Sequence, residues 1–250
     1  MKIAVCGKGG SGKSTFTALL AKEFAARGKK VLVIDSDESN YGLHLQLGLP
    51  LPESLTDYMG GKGQVMEYLA GGPQNMPLLF DRNLKMSDIP AEYYSEKDGI
   101  RLMTPGKIQQ VNEACACAFA AILGQFLEVL HLEEDEIVIM DMEAGTEHFG
   151  RGTDNAADLI VMVVDPSMES LKLSGRVAEM SRSIGKKSCF VLNKVTPEFE
   201  ELMKETVSPN GEILAVLSAD GAIQKAGIMG RELSISSPQI REAAGRLLTL

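Results

Sequence analysis

Residues 7–14 have the types and spacing of a loop that cradles phosphate groups. They read Gly-Lys-Gly-Gly-Ser-Gly-Lys-Ser, after a short apolar run (Lys2–Cys6) and before a helical pattern (Ser14–Arg27). Glycines let backbone N–H groups turn toward phosphate oxygens, and the start of the next helix adds partial positive charge. We expect Lys13 to bridge the β- and γ-phosphates and the Ser14 hydroxyl to ligate Mg²⁺. The nucleotide-binding positions predicted in this region are Gly9, Gly10, Ser11, Gly12, Lys13, Ser14 and Thr15.

Two acidic residues follow apolar runs of strand length. Asp37 comes shortly after Val31–Ile34, and Asp141 directly follows Glu136–Met140. Carboxylates at the carboxyl ends of parallel strands face the ligand crevice of an open α/β sheet. We expect Asp37 to orient or deprotonate the water that attacks the γ-phosphate, although an Asp that caps a helix near Asn40 fits the same position. We expect Asp141 to hold the water shell of Mg²⁺.

Two further residues lie close to these acids in the sequence. Asp35 is interpreted as a structural group or as a ligand of Mg²⁺ through water. Gly145 follows Asp141 by four residues, and its backbone amide is expected to sense the γ-phosphate and to move on hydrolysis.

A Cys-x-Cys pair, Cys115 and Cys117, precedes a helical pattern that runs to Leu130. Two thiolates separated by one residue do not complete a tetrahedral metal site, but a two-fold symmetric dimer would bring four together. Thiolates favour Zn²⁺, Ni²⁺, Cu⁺ or an iron–sulfur cluster. The alternative is a pair of small residues packed in a core, which is what we expect of Cys6 and Cys189 inside strands.

The elements that must position these residues alternate in type along the chain. Further apolar runs at Leu159–Val164, Ser188–Leu192 and Glu212–Leu217 are separated by helical patterns at Ser167–Ile184 and Pro197–Val207. Continuous Val, Ile and Leu are typical of strands in a sheet that is covered on both faces. The pattern predicts an α/β fold with a doubly wound, mostly parallel sheet flanked by helices.

Length and charge limit the function classes. The chain has 250 residues, with 25 Lys and Arg against 34 Asp and Glu, so its formal net charge is −9. This length fits a single domain over residues 1–250, with an insertion of loops and short helices at about 48–99, where Gly and Pro are frequent. The acidic balance disfavours binding to nucleic acid. Because no apolar run reaches membrane-span or signal-peptide length, we expect a cytoplasmic protein that does not bind a membrane.

Lys8, an additional lysine near the start of the loop, carries a resemblance to a known family. The order Lys-Gly-Gly-x-Gly-Lys-Ser resembles the deviant Walker A ATPases, which include MinD, the partition ATPases and the nitrogenase iron protein. The resemblance implies a MinD-like P-loop fold, hydrolysis of Mg²⁺-bound ATP to ADP, and a homodimer in which Lys8 reaches the partner's phosphates. A solvated surface lysine is the alternative. Asp37 takes the switch I position, although Glu38 replaces a common Pro. Asn193 takes the place of an Asn that holds the purine edge, where a simple turn is the alternative.

A narrower resemblance rests on three segments together. Residues 8–14, the Cys115-x-Cys117 pair, and residues 141–148 with Arg151-Gly152-Thr153 are similar to the CooC-type accessory ATPases of carbon monoxide dehydrogenase. This resemblance implies a homodimer that binds one Ni²⁺, or Zn²⁺ at the same site, through Cys115 and Cys117 of both chains. It also implies ATP hydrolysis coupled to nickel delivery, with carbon monoxide dehydrogenase or acetyl-CoA synthase as the client. His148 is either a further metal ligand or a polar residue of the switch region.

Two other functions fit the same loop. A MinD or partition ATPase cycles on a membrane or DNA surface, but the tail at 240–250 has two Arg and no aromatic residue, so we expect it to pack on the body of the protein. An electron-transfer protein with a shared iron–sulfur cluster would resemble the nitrogenase iron protein, which uses two well-separated cysteines per chain rather than Cys-x-Cys.

Overall fold

Parallel strand pairing dominates the protein. The computed structural model describes residues 1–37, 40–70, 83–107, 117–146, 149, 153–234 and 236–250. The strands are β1 (Lys2–Gly7), β2 (Lys30–Asp35), β3 (Leu84–Lys85), β4 (Ser95–Lys97), β5 (Ile100–Met103), β6 (Leu130–His131), β7 (Glu136–Asp141), β8 (Leu159–Val164), β9 (Lys187–Val195) and β10 (Glu212–Ser218). Within the described residues, eight strands form one sheet in the order β10-β9-β8-β1-β7-β2-β5-β4, and β3 pairs with β6 separately.

Helices cover both faces of this sheet. They are α1 (Lys13–Ala26), α2 (Leu43–Leu47), α3 (Leu55–Tyr58), α4 (Lys62–Ala70), α5 (Cys117–Val129), α6 (Met168–Ser183), α7 (Glu200–Val207), α8 (Gly221–Ile228) and α9 (Pro238–Leu247). One core packs α1 and α9 against the sheet around Phe16, Phe24 and Leu247. The other packs α5 and α6 on the opposite face around Phe126 and Val177. The predicted doubly wound α/β class is therefore confirmed.

The predicted strands and helices match the observed ones closely. The apolar run at Leu159–Val164 is β8 without change, and the pattern at Ser167–Ile184 is α6 shortened by one residue at each end. Burial explains this agreement, because all six residues of β7 and all six of β8 are buried, as continuous apolar runs require.

The sequence patterns did not reveal β5, which lies between β2 and β4 in the sheet. Its four residues are too few for a distinctive pattern, and they directly follow the segment that the Gly and Pro content marks as an insertion. That segment contains α3 and α4 as expected, but also β4, which runs antiparallel to β5 at the sheet edge. The assignment of 1–250 to one domain stays a prediction.

The C-terminal tail packs on the body of the protein, as predicted. Helix α9 begins after Ser237, whose hydroxyl accepts a hydrogen bond from the Ile240 amide, and it buries Ile240, Ala243, Ala244 and Leu247. These residues belong to the core that α1 shares with the sheet. None of the helices in the described part of the chain is long and apolar enough to cross a lipid bilayer.

Candidate nucleotide-binding site

The glycine-rich loop connects β1 to α1 at the carboxyl edge of the sheet. The Ser11 amide donates to the Lys8 carbonyl oxygen over 3.1 Å, which closes a tight turn. Gly12 has a φ of 102° and directly precedes the first turn of α1. The φ of this position favours glycine, and a Cβ atom at Gly12 would also displace the Asn193 side-chain amide from the loop.

The two lysines of the loop occupy different surroundings. Lys13 is buried, and its ammonium lies 3.4 Å from the Lys8 carbonyl oxygen, across the loop. Lys8 is partly exposed, and its ammonium points away from the loop toward Asp165 at 3.7 Å and Glu169 at 3.9 Å. Lys13 therefore lies where a lysine of this motif contacts phosphates, whereas Lys8 lies at the outer side of the loop.

Asn193 and Lys194 hold the outer side of the loop from the end of β9. The Asn193 amide nitrogen donates to the Ser11 carbonyl oxygen over 2.8 Å, and the Lys194 ammonium donates to the Gly10 carbonyl oxygen over 2.6 Å. Lys194 has a φ of 59°, a left-handed conformation that is uncommon for residues with a side chain. The structure thus places Asn193 against the loop, while its predicted contact with a purine stays a prediction.

Two buried carboxylates lie side by side beneath the loop. Asp35 at the end of β2 and Asp141 at the end of β7 are paired in register, and both are fully buried. Burial raises the pKa of Asp141 to about 7, and the negative charge of Asp35 adds to the rise, while the Ser14 hydroxyl and the Lys13 ammonium oppose it. Burial also raises the pKa of Asp35 to about 6, against the opposing effect of Lys107.

The polar groups at this point fit a magnesium ion. Within the described residues, neither carboxylate oxygen of Asp141 has a hydrogen-bond partner, although both are buried. A buried charge without a partner is costly, and a hard divalent cation with its waters would compensate it. Ser14 lies in the first turn of α1, beside this carboxylate. Its hydroxyl accepts a hydrogen bond from the Asn40 side-chain amide over 2.7 Å. Ser14 and Asp141 therefore supply the oxygens expected for Mg²⁺ bound to phosphates.

Asp37 and Asn40, which follow β2, are tied to the site by Lys107, a residue that no sequence motif indicated. Lys107 is buried and forms an ion pair with Asp35 over 2.7 Å. Its ammonium also donates to the carbonyl oxygens of Asp37 and Asn40, both at 2.6 Å. The signal that could have found it is a lysine four residues after β5, but β5 itself was not predicted. Asp37 is buried at this edge of the sheet, and its role toward the attacking water stays a prediction.

The segment after β7 contacts the loop directly. The Gly145 amide donates to the Gly7 carbonyl oxygen over 3.2 Å, and Gly145 has a φ of 94°. The Ser36 hydroxyl donates to the Asp141 carbonyl oxygen over 2.7 Å, so the ends of β2 and β7 are linked. Gly145 is thus beside the loop, and its movement with the γ-phosphate stays a prediction.

Several predicted positions fall outside the described residues. They are Glu38, Cys115, Glu147, His148, Arg151 and Gly152. Cys117 is described only as the first residue of α5, and its side chain is not. The described part of the chain contains no cluster of three or more metal-binding side chains. Cys6 and Cys189 are buried in β1 and β9, so their assignment to the core is confirmed.

Sequence comparisons place this geometry in a family. The profile of the CobQ/CobB/MinD/ParA nucleotide-binding domain matches residues 2–233. An uncharacterized ATP-binding protein of Methanocaldococcus jannaschii is 44% identical over 97% of both chains. The carbon monoxide dehydrogenase accessory protein CooC of Rhodospirillum rubrum is 32% identical over 99% of this chain and 95% of its own.

Solved structures agree with the fold. A chain of the MinC:MinD cell division protein complex of Aquifex aeolicus superposes with a TM-score of 0.69, at 19% identity, over 100% of this chain and 96% of that one. MinD of Pyrococcus horikoshii, solved with Mg-ADP, gives a TM-score of 0.67 at 18% identity, over 98% and 95%. The phosphate loop, the buried Asp141 and the matched profile lead to one conclusion: the chain belongs to the CobQ/CobB/MinD/ParA family of nucleotide-binding domains and is a P-loop ATPase.

Proposed function

We propose that the protein is an ATP-driven metal-delivery protein, which acts as a homodimer and carries one thiolate-bound Ni²⁺ between its two subunits. The client would be a nickel enzyme such as carbon monoxide dehydrogenase or acetyl-CoA synthase. One observation carries the proposal: the Cys115-x-Cys117 pair occurs in a chain that is 32% identical, over nearly its whole length, to a protein named as a carbon monoxide dehydrogenase accessory protein.

The nucleotide-binding half of this function uses the buried groups beneath the loop. Lys13 and the amides at the start of α1 bind the phosphates, and Ser14 with Asp141 holds Mg²⁺ and its waters. The cation, when bound, neutralises charge on the phosphate oxygens. Asp37 orients the attacking water from the end of β2. Only ATP has a γ-phosphate near Asp37 and Gly145, so the contacts of these two residues would change on hydrolysis. Such a change of contacts is what a nucleotide-dependent switch requires.

The dimer depends on Lys8. In one chain its ammonium lies against Asp165 and Glu169, at 3.7 and 3.9 Å, and the side chain is partly exposed. The phosphate oxygens of a second subunit's ATP would accept short charge-assisted hydrogen bonds from the same ammonium and so compete with these two longer contacts. ATP therefore favours the dimer, and hydrolysis removes part of that attraction.

The metal site depends on symmetry. One chain supplies only the thiolates of Cys115 and Cys117, which is half of a tetrahedral set. A two-fold axis through the dimer makes the set complete, so metal binding and dimerisation are linked by mass action. Thiolates in a reducing compartment stay available for metal, and we therefore infer that the protein works in the cytoplasm.

A metal titration with size measurement tests this proposal. Anaerobic protein would be titrated with Ni²⁺ and, separately, with Zn²⁺, with and without Mg-ATP, and its mass in solution would be measured at each point. We expect saturation at one metal ion per two chains together with a dimer. The Cys115→Ala/Cys117→Ala variant should lose metal binding and keep nucleotide binding.

The chain offers a matched control for this experiment. Cys189→Ala removes a thiol that is buried in β9 and takes no part in the proposed site. This variant should bind metal with the same stoichiometry as the unchanged protein. If the Cys115→Ala/Cys117→Ala variant still binds one ion tightly per two chains, the assignment of the thiolates is wrong.

A second candidate is a surface-cycling ATPase of the MinD or partition type. MinD of Synechocystis is 28% identical over 80% of this chain, which supports this function at the level of the family. Helix α9 argues against a membrane-bound form. Its apolar residues pack on α1 and the sheet, so they do not face outward where they could enter a membrane. ATP-dependent sedimentation with anionic vesicles or with DNA, compared with an ADP control, would favour this candidate.

A further inference from the structure

Lys107 makes an unusual set of contacts for a lysine. Its side chain is 2% exposed, and that of Asp35, with which it pairs over 2.7 Å, is fully buried. Lysine is rarely buried to this extent, because its charge loses the solvation of water unless other groups replace it. Three oxygens replace it here, one from Asp35 and two from the main chain at Asp37 and Asn40.

The two main-chain contacts place Lys107 under the segment that follows β2. The carbonyl oxygens of Asp37 and Asn40 both lie 2.6 Å from its ammonium, and the Asn40 backbone amide donates to the same Asp37 carbonyl oxygen over 3.2 Å. The ring of Tyr41 covers the ammonium at 5.7 Å. The Asn40 side-chain amide in turn donates a hydrogen bond to the Ser14 hydroxyl over 2.7 Å. One ammonium therefore connects Asp35, the Asp37 backbone and the magnesium-binding serine.

The backbone that carries Lys107 is itself firmly held. The Thr104 hydroxyl donates to the Asp35 carbonyl oxygen over 3.1 Å, and the amide of Leu55 donates to the Thr104 carbonyl oxygen over 3.1 Å. A Cβ atom at Gly106 would overlap the ring of Phe119 in α5, so these two residues pack without a gap. Because this backbone is fixed, the Lys107 ammonium has little freedom to move. A residue that holds catalytic groups in place must itself be held in this way.

We propose that Lys107 is a positioning residue for ATP hydrolysis. It fixes the main chain at Asp37, and so directs the Asp37 carboxylate toward the attacking water, while its charge offsets the negative charges of Asp35, Asp37 and Asp141. It does not touch the phosphates, which are bound by the loop and by Lys13. Loss of Lys107 is therefore expected to slow the chemical step far more than it weakens nucleotide binding.

Steady-state kinetics of three variants test this role. In Lys107→Met, which keeps the length of the side chain and removes its charge, kcat should fall by roughly tenfold to a hundredfold, because the alignment of the reacting groups is lost. KM for Mg-ATP should change by less than about threefold, because the phosphate contacts remain. Lys107→Arg keeps the charge and donors and should recover part of kcat. Lys30→Met is the control, since Lys30 pairs with Asp135 at the exposed opposite end of β2.

A double variant separates positioning from a merely structural ion pair. Asp35→Asn/Lys107→Met removes both charges, so no unpaired carboxylate is left and the thermal stability should recover toward that of the unchanged protein. Asp35→Asn alone, which keeps Lys107, shows how much of kcat depends on Asp35 itself. If Lys107 acted only as a partner for Asp35, kcat of the double variant would recover to that of Asp35→Asn. The positioning role predicts that kcat stays low, because the contacts with the Asp37 and Asn40 carbonyl oxygens are still missing.

Two results would overturn the proposal. One is a kcat in Lys107→Met within about twofold of the unchanged protein, in the range that the Lys30→Met control also shows. The other is a double variant that regains both stability and kcat. If Lys107→Met does not fold, Lys107→Arg and the double variant decide between the two roles by the same measurements.

Discussion

The side-chain amide of Asn193 donates to the Ser11 carbonyl oxygen over 2.8 Å. Asn193 lies in β9, a strand that begins 176 residues after Ser11 in the chain. In a planar trans peptide the carbonyl of Ser11 and the N–H of Gly12 point in opposite directions. A carbonyl held outward therefore turns the Gly12 amide toward the space that the phosphates would occupy. The neighbouring contact from Lys194 to the Gly10 carbonyl oxygen, at 2.6 Å, holds the preceding peptide of the loop, whose Ser11 amide donates to the Lys8 carbonyl oxygen.

Asn193→Ala is expected to weaken phosphate binding itself and not only recognition of the base. The affinity for Mg-ADP should fall by about tenfold, the equivalent of one or two hydrogen bonds. Tripolyphosphate, which has no purine, should lose affinity as well, and calorimetry measures both. Asn210→Ala is the control, because Asn210 bonds to Ser174 and Thr206, away from the loop. If only the purine-containing ligand is weakened, Asn193 acts on the base and does not shape the loop.

Gly12→Ala should abolish nucleotide binding and destabilise the protein. The backbone at this position has a φ of 102°, and a methyl group would overlap the Asn193 amide. Strain of this kind costs about 1–3 kcal/mol. Thermal unfolding without nucleotide measures the strain, and equilibrium binding of Mg-ADP measures the function. Gly63→Ala is the control, because the space around Gly63 is open. A Gly12→Ala protein that binds Mg-ADP normally would contradict this structure of the loop.

The nucleotide-free protein should lose stability as the pH rises from about 4 to about 7. The pKa of Asp141 in the folded state is raised to about 7, above the value near 4 of an unfolded aspartate. In this pH window the folded state binds more protons than the unfolded state, so the free energy of unfolding decreases with pH and levels off above pH 7. Asp35, with a pKa raised to about 6, contributes in the same direction.

Asp141→Asn tests the origin of this pH dependence. The variant should be more stable than the unchanged protein at pH 8 and about equally stable at pH 4, because the cost of the buried charge is removed only where the carboxylate is ionised. It should also lose Mg²⁺-dependent ATP hydrolysis. Denaturant unfolding at both pH values checks the first expectation. Equal effects of the substitution at pH 4 and pH 8 would show that the carboxylate is not the cause.

Lys8→Ala should separate nucleotide binding from dimerisation. Its ammonium contacts Asp165, Ser167 and Glu169 rather than the loop of its own chain. We therefore expect the variant to bind Mg-ATP with an affinity within about threefold of normal, but to stay monomeric and to hydrolyse ATP slowly. Mass measurement in Mg-ATP and steady-state kinetics check this. Lys172→Ala, on α6, is the control. A Lys8→Ala protein that dimerises normally with ATP would exclude the intersubunit role.

The sequence predicted the parts of this molecule whose patterns are local. The loop at residues 7–14 carries its glycines and lysines within eight positions, and β7 and β8 are continuous apolar runs, so their recognition needed no tertiary information. The ion pair between Lys107 and Asp35 could not be predicted from a local pattern. They are 72 residues apart, and they meet because β5 lies next to β2 in the sheet. A four-residue strand after a Gly- and Pro-rich stretch gives no distinctive pattern, so the lysine that follows it went unnoticed.

X-ray absorption at the metal edge tests the central claim most directly. Protein loaded anaerobically with one Zn²⁺ or Ni²⁺ per two chains in Mg-ATP would be measured beside the Cys189→Ala control. Four sulfur ligands, at about 2.3 Å for zinc, are predicted, because Cys115 and Cys117 of both subunits must all bind the ion. A first shell with two sulfurs completed by nitrogen or oxygen would mean that one chain holds the metal alone, and would contradict the shared site.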